Sequence, residues 1–258
     1  MAELVDAHDS KSCFARSESS ILSSPTIKMI KMLYRLYLLL NLQKYKIKNF
    51  IKPLEINENL TFVKKYFENR KKGFYIDVGC FHPIRFSNTL FLYKKGWSGL
   101  NLDLSKKSID LFKISRPRDL SLNYGIGDKN CEMDFFYNKD LFHTNTLNVQ
   151  FRDYFLKKNE VKTKKVEVKT LEYLLNLYFP QKKIDLLDID AEGFDYEVLK
   201  GINFKINTIE LIMIEVHHFS KETINKSQKI KNLLEQEGFY LIYGDYPGNC
   251  IFKNKKLD

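Results

Sequence analysis

Five acids close apolar runs in this chain, and that placement is where chemistry is expected. Asp77 and Gly79 end FYIDVG, Asp103 ends GLNLD, Asp128 follows a Gly-Ile-Gly turn, Asp190 ends IDLLDID and Glu215 ends LIMIE. A β-rich run that finishes in an acid and a glycine lets the backbone turn sharply or approach a ligand closely. Asp103 lies roughly twenty residues beyond that turn, at the end of the next run, where an acid commonly accepts hydrogen bonds from a ribose. A second group, Asp190, Glu192, Glu215 and His217, carries the side chains that take a proton from an acceptor hydroxyl, and each is also suited to a structural hydrogen bond at a strand end. Asp190, Glu192 and Glu215 are in addition the oxygen ligands that a divalent cation would use, although no metal ligand set is assigned.

The elements that would position these groups follow from periodicity. Strands are expected at 74–79, 99–103, 120–128, 132–137, 161–169, 184–190 and 209–216, with a closing hairpin from 239–243 and 249–252. Helices are expected at 59–69, at 87–95 (opening Ser-Asn-Thr, stopping before Gly96), at 105–113, from Thr170 onward, at 192–201 and at 227–238. The polar stretch 138–150, with His143, Thr144 and Asn145, has loop composition and the length of a lid or acceptor-binding loop. Strands alternating with helices call for a mostly parallel sheet covered on both faces. Ligands in such sheets bind at strand carboxyl ends, near the point where strand order reverses.

The 258 residues, 44% hydrophobic and 14% aromatic, supply a sizeable core and exclude disorder throughout. A formal charge of +10 favours anionic partners without fixing the fold. Cys13, Cys80, Cys131 and Cys250 show neither zinc nor dense disulfide spacing, which suits reduced thiols in the cytoplasm. Residues 1–27 are expected to lie outside the fold. Their first twenty resemble translated transfer-RNA sequence, which makes Met29 or Met32 the expected start. The 28–70 segment is expected to be helical. Between 28 and 52 it holds seven Lys or Arg and no acid, interleaved with apolar residues at helical spacing. Such a helix suits either attachment to an anionic membrane surface, with the protein peripheral at the inner face, or packing on the domain with a solvated basic side. The 71–258 segment is the expected catalytic domain.

YIDVGCFHPIRFSNTLFLYKKGWSGLNLD, with IDLLDIDAEGFDYEVLKGINF and LIMIEVHHF, resembles the FkbM family of S-adenosylmethionine-dependent methyltransferases over about 74–219. The resemblance implies an α/β, three-layer Rossmann-like class I methyltransferase fold, with a seven-stranded mostly parallel sheet and a C-terminal antiparallel hairpin. It implies S-adenosylmethionine as cofactor and O-methylation of a sugar or glycan hydroxyl, with no nucleic-acid partner. Carried onto this chain, it places Asp77, Gly79, Cys80, His82 and Asn88 around the methionine part of the cofactor and puts Asp103 on the ribose, with Leu104 beside it. Gly127 and Asp128 fall near the adenine, and Asp190 and Glu192 face both cofactor and acceptor. Many relatives have a small Ala-Asn pair where this chain has Cys80-Phe81-His82, so His82 stands as either a cofactor or an acceptor contact. A nicotinamide oxidoreductase lacks support because GxGxxG is missing. An RNA methyltransferase lacks it because the basic residues are spread through the chain with no RNA-binding module. A membrane-bound scaffold with a degenerate cofactor site is the rival from outside enzymes.

Overall fold

The computed structural model describes residues 25–51, 58–156 and 160–257. The chain divides after Ile51 into two units. The first contributes α1, Pro25–Ile51, which opens with proline in the first helical turn, where no N–H is needed. It begins inside the segment expected to lack structure; residues 1–24, including the expected start-region peptide and Cys13, lie outside the described residues. No described helix is long and apolar enough to cross a membrane.

The second unit is built on a seven-stranded sheet. In chain order its elements are α2 (Glu58–Tyr66), β1 (Phe74–Val78), α3 (Leu90–Lys94), β2 (Ser98–Leu102), α4 (Lys106–Ser115), β3 (Leu120–Leu122), β4 (Gly125–Ile126), β5 (Cys131–Tyr137), α5 (Val149–Phe155), β6 (Lys162–Lys169), α6 (Leu171–Tyr178), β7 (Ile184–Ile189), α7 (Asp195–Lys200), β8 (Ile209–Glu215), α8 (Lys221–Gln236), β9 (Phe239–Tyr243) and β10 (Asn249–Asn254). The sheet order is β3-β2-β1-β7-β8-β10-β9, with β10 antiparallel to both its neighbours and the other pairings parallel. This is the expected seven-stranded, mostly parallel Rossmann-like sheet with its C-terminal hairpin. Strand order reverses between β1 and β7, which is the switch point at which such sheets bind ligands.

The pleat explains the two cores. On β1, Phe74, Ile76 and Val78 pack with Leu187 and Ile189 of β7, Ile212 and Ile214 of β8, and residues of α6, α7 and α8; Tyr75 faces the other way and packs with Leu186, Leu211, Met213 and Trp97 under α2 and α3. Successive strand residues point to opposite faces, so runs that are apolar at nearly every position belong to strands covered on both. Asp77 and Asp188 are register partners across β1 and β7. The alternation that buries the hydrophobic residues thus also sets two acids side by side next to the switch point.

Four boundaries depart from expectation. The stretch 120–128 is not one strand: β3 ends at Leu122, and β4 leaves the main sheet to pair with β6 in a second sheet ordered β4-β6-β5. The helix expected at 87–95 begins only at Leu90; Thr89 is its N-cap residue but makes no side-chain cap, its hydroxyl donating to Asp77 Oδ2 at 2.6 Å instead. The helix expected from Glu192 starts at Asp195, since Glu192 (φ 51°) and Gly193 (φ 86°) occupy the left-handed region. The helix expected at 227–238 begins at Lys221, behind a reciprocal cap between Ser220 and Thr223.

Candidate active site

At the carboxyl end of β1, Gly79 holds φ 81°. A Cβ there would overlap the carbonyl oxygen of Asp190, so glycine is required both for the turn and for the close passage of the two strand ends. The N–H groups of Gly79 and Cys80 both donate to the Leu102 carbonyl, and the Asp190 N–H donates to Val78 at 3.0 Å. The ends of β1, β2 and β7 are thereby tied into one rim.

Two cavities open on this rim. The first, of about 610 Å³, is lined mainly by apolar side chains, among them Val78, Leu102, Leu104, Tyr124, Ile126, Phe135, Leu147 and Phe194, with Asp103 and Ser105 on one side. The second, of about 870 Å³, carries more polar side chains than the first, with Asp77, Cys80, Ser87, Asn88 and Asp188 in its wall beside Phe81 and Phe86. Gly79, Phe81, His143, Asp190 and Glu192 line both. The loop over 138–150 contributes Asp140, Phe142, His143, Asn145 and Leu147 to the first.

The electrostatics follow from burial of acids near one another. Desolvation raises Asp77 to about 6, against the hydrogen bond from Thr89 and the charge of Arg116. Asp103 is also raised to about 6 by desolvation, although its oxygens accept from the Phe81 N–H (2.8 Å) and the Ser105 N–H (2.6 Å). Asp188 and Asp190 are pushed well above the carboxylate range, first by burial and then by neighbouring carboxylates. Burial and the charges of Glu215 and Asp195 push Glu192 up to about 9. Asp190 Oδ1 is buried without a hydrogen-bond partner among the described residues. A buried, unsatisfied carboxyl oxygen is costly unless a ligand completes it.

The expected site residues thus divide. Asp77, Gly79, Cys80, Asn88, Asp103, Leu104, Asp190 and Glu192 line the cavities. His217 and Glu215 stand just behind: His217 Nε2 lies 3.8 Å from Glu192 and Nδ1 3.9 Å from Glu215, with the ring among Phe151, Phe155 and Phe219. His82 is fully buried and its Nδ1 accepts from the Ile84 and Arg85 N–H groups, both at 3.0 Å, so it holds a turn and lines neither cavity. Gly127 pairs with Lys169 and Asp128 with Lys200 (2.6 Å), and the cavity wall is made by Tyr124, Gly125 and Ile126 just before them. Asp188 was not singled out from the sequence, although its place two residues before Asp190, on the same side of a strand, marks it. Among the described residues no group of His, Cys, Asp and Glu could hold a metal ion, so Asp190, Glu192 and Glu215 form no such set. Cys80, Cys131 and Cys250 are free thiols.

The model of the methyltransferase FkbM domain matches residues 77–241. The chain belongs to the FkbM methyltransferase family. No curated protein matches the sequence. Among solved structures it is similar to a TehB-like S-adenosylmethionine-dependent methyltransferase from Corynebacterium glutamicum, at 11% identity and TM-score 0.40, covering 86% of this chain and 100% of that one. It is also similar to an S-adenosylmethionine-dependent methyltransferase from Aquifex aeolicus, at 11% identity and TM-score 0.39, covering 82% and 95%.

As an FkbM methyltransferase, the protein uses S-adenosylmethionine, and its residues fit that cofactor. The apolar cavity with Asp103 and Ser105 at one side suits a nucleoside, and the buried Oδ1 of Asp190, without a partner among the described residues, is an atom a bound group could complete. When bound, the cofactor supplies an electrophilic methyl group on a sulfonium.

Proposed function

We propose that the protein methylates a hydroxyl of a sugar or glycan precursor. The supporting observation is that Asp190 and Glu192 belong to both cavities. An apolar cavity with Asp103 at its side suits adenosine, with the carboxylate accepting from the ribose hydroxyls. The second cavity, walled by Asp77, Cys80 and Asn88, suits the methionine part of the cofactor that the family resemblance puts beside them, and at about 870 Å³ it is large enough to admit an acceptor hydroxyl as well. Groups that handle the proton are then wanted where the two meet.

Asp190 is assigned to take the acceptor proton or to orient the hydroxyl. Its burial makes it a stronger base once ionised, and a cation brought beside it favours the ionised form. Glu192 and His217 lie next in line, within 3.8 Å of each other. The protein otherwise contributes alignment: the rim fixed by Gly79 and Asp190 sets where nucleophile and methyl meet.

A trideuteromethyl-labelled donor tests this. Incubated with the enzyme, free sugars, nucleotide sugars and RNA, it should leave label on a saccharide oxygen by mass spectrometry. Label on RNA alone would overturn the sugar assignment.

For α1 we infer peripheral contact with an anionic membrane. Its six Lys or Arg and absence of acids accompany exposed Met29, Ile30, Met32, Leu33, Leu40 and Phe50, a composition that favours an acidic lipid surface.

A further inference from the structure

The loop between β1 and α3 is built more expensively than a cofactor turn requires. Phe81 and Phe86 hold φ of 50° and 54°, a region that glycine enters freely and other residues only at a cost. Phe86 is also 57% exposed, so burial of its ring does not offset that cost. Two buried side chains hold the loop in place. His82 accepts the N–H groups of Ile84 and Arg85. Arg116, 1% exposed, donates to the Pro83 carbonyl (2.7 Å), Ser87 Oγ (2.7 Å) and Thr89 Oγ1 (2.8 Å).

What this framework presents is a pair of rings. Phe81 and Phe86 lie nearly parallel, 19° apart with centroids at 6.4 Å, and both border the second cavity beside Ser87 and Asn88. The Arg85 guanidinium sits 4.5 Å from the Phe86 centroid. An exposed aromatic ring at the edge of a cavity that reaches Asp190 and Glu192 matches the two sides of a pyranose: an apolar C–H face for the ring, and hydroxyls for those carboxyls, beyond the methionine part of the cofactor. Strain persisting at such a rim is a marker of function.

We propose that Phe86, backed by Phe81, is the platform on which the acceptor's pyranose ring stacks, so that it determines which hydroxyl is turned toward Asp190. The assignment rests on the sugar-acceptor reading. It makes Phe86 a specificity residue outside the proton-handling group.

Saturation-transfer NMR on the full chain tests it, with S-adenosylhomocysteine present and a panel of methyl pyranosides and disaccharides as probes. In the wild type, protons on one C–H face of the bound sugar should take the strongest saturation, and Phe86→Tyr should keep that pattern. Phe86→Gly removes the ring and the backbone strain together. Its Tm should equal or exceed that of the wild type while the sugar Kd rises about tenfold, the ratio that corresponds to 1.4 kcal/mol. Unchanged sugar binding in Phe86→Gly overturns the platform and leaves a sugar acceptor standing. A wild type that binds S-adenosylhomocysteine but saturates no saccharide overturns both.

Discussion

Gly79 and Asp190 meet so closely that a single added carbon on Gly79 would overlap the Asp190 carbonyl oxygen. The turn after β1 and the acid after β7 are therefore one unit, and a change in either moves the other. Gly79→Ala would face both this overlap and φ 81°. The strain alone costs roughly 1–3 kcal/mol, before the backbone shift is counted. A lowered Tm and loss of measurable S-adenosylmethionine binding by calorimetry are expected; wild-type values for both would show that the strand ends are not coupled.

Much of this site was legible because apolar runs end in acids: Asp77, Asp103 and Asp190 fell where strand lengths and composition put them. What stayed hidden depended on tertiary hydrogen bonds. Thr89 has a cap-forming side chain, but the buried Asp77 and Arg116 claim its hydroxyl. Glu192 has good helix propensity, yet the Asp195 carboxylate accepts the N–H groups of Ala191 and Gly193 and holds a turn there. The break after Leu122 follows from β4 pairing with β6, about forty residues away in sequence. His82 falls within the stretch that the family resemblance puts around the cofactor, and only the three-dimensional turn shows its Nδ1 already in use.

Asp103 should anchor the ribose. Asp103→Ala removes hydrogen bonds to an acceptor, each worth roughly 1.5–3 kcal/mol when the group is ionised, so S-adenosylmethionine affinity should fall at least about tenfold by calorimetry. Because the same carboxylate accepts from Phe81 and Ser105, Tm should fall as well. A destabilised but folded variant with unchanged affinity would remove Asp103 from the ribose contact.

The clustered acids predict a stability that falls with pH. Asp195 is raised to about 7 and Glu192 to about 9, chiefly by burial. Folded values above the unfolded ones mean that the native state binds more protons, so their contribution is complete below the unfolded carboxylate range and lost as pH rises through the folded values. Glu210, lowered to about 2 by its Arg70 and Lys183 bonds despite desolvation, works in the opposite sense only in strong acid. His82, lowered to about 4, does so only below its ordinary range. Between about pH 6.5 and about pH 9 the ligand-free Tm should therefore fall. The cationic S-adenosylmethionine should raise Tm more at the upper end than neutral S-adenosylhomocysteine does. A flat profile, or equal shifts from both ligands, would contradict the arrangement.

For α1, vesicle flotation separates charge from apolar contact. Protein should float with phosphatidylglycerol-containing vesicles and not with phosphatidylcholine alone, and binding should weaken with salt. Replacing Lys28, Lys31 and Arg35 by Gln should release it, at about 1 kcal/mol per charge, without changing S-adenosylmethionine affinity. Failure to float with the anionic vesicles would assign the basic face to solvent.

The chemical assignment is decided at Asp190. Asp190→Asn preserves shape but removes the proton acceptor, so turnover should drop about a hundred- to ten-thousandfold while S-adenosylmethionine still binds. The substitution also removes one carboxyl from beside Glu192 and Asp195, where burial first and neighbouring carboxylates second raise Asp190 and Glu192. Tm above neutral pH should consequently hold or rise, which separates lost chemistry from lost folding. If turnover stays near wild type, the proton goes to Glu192 and the neighbouring His217, and Glu192→Gln should then show the loss. If cofactor affinity falls in a folded Asp190→Asn protein, the unpaired Oδ1 belongs to cofactor binding rather than to the acceptor.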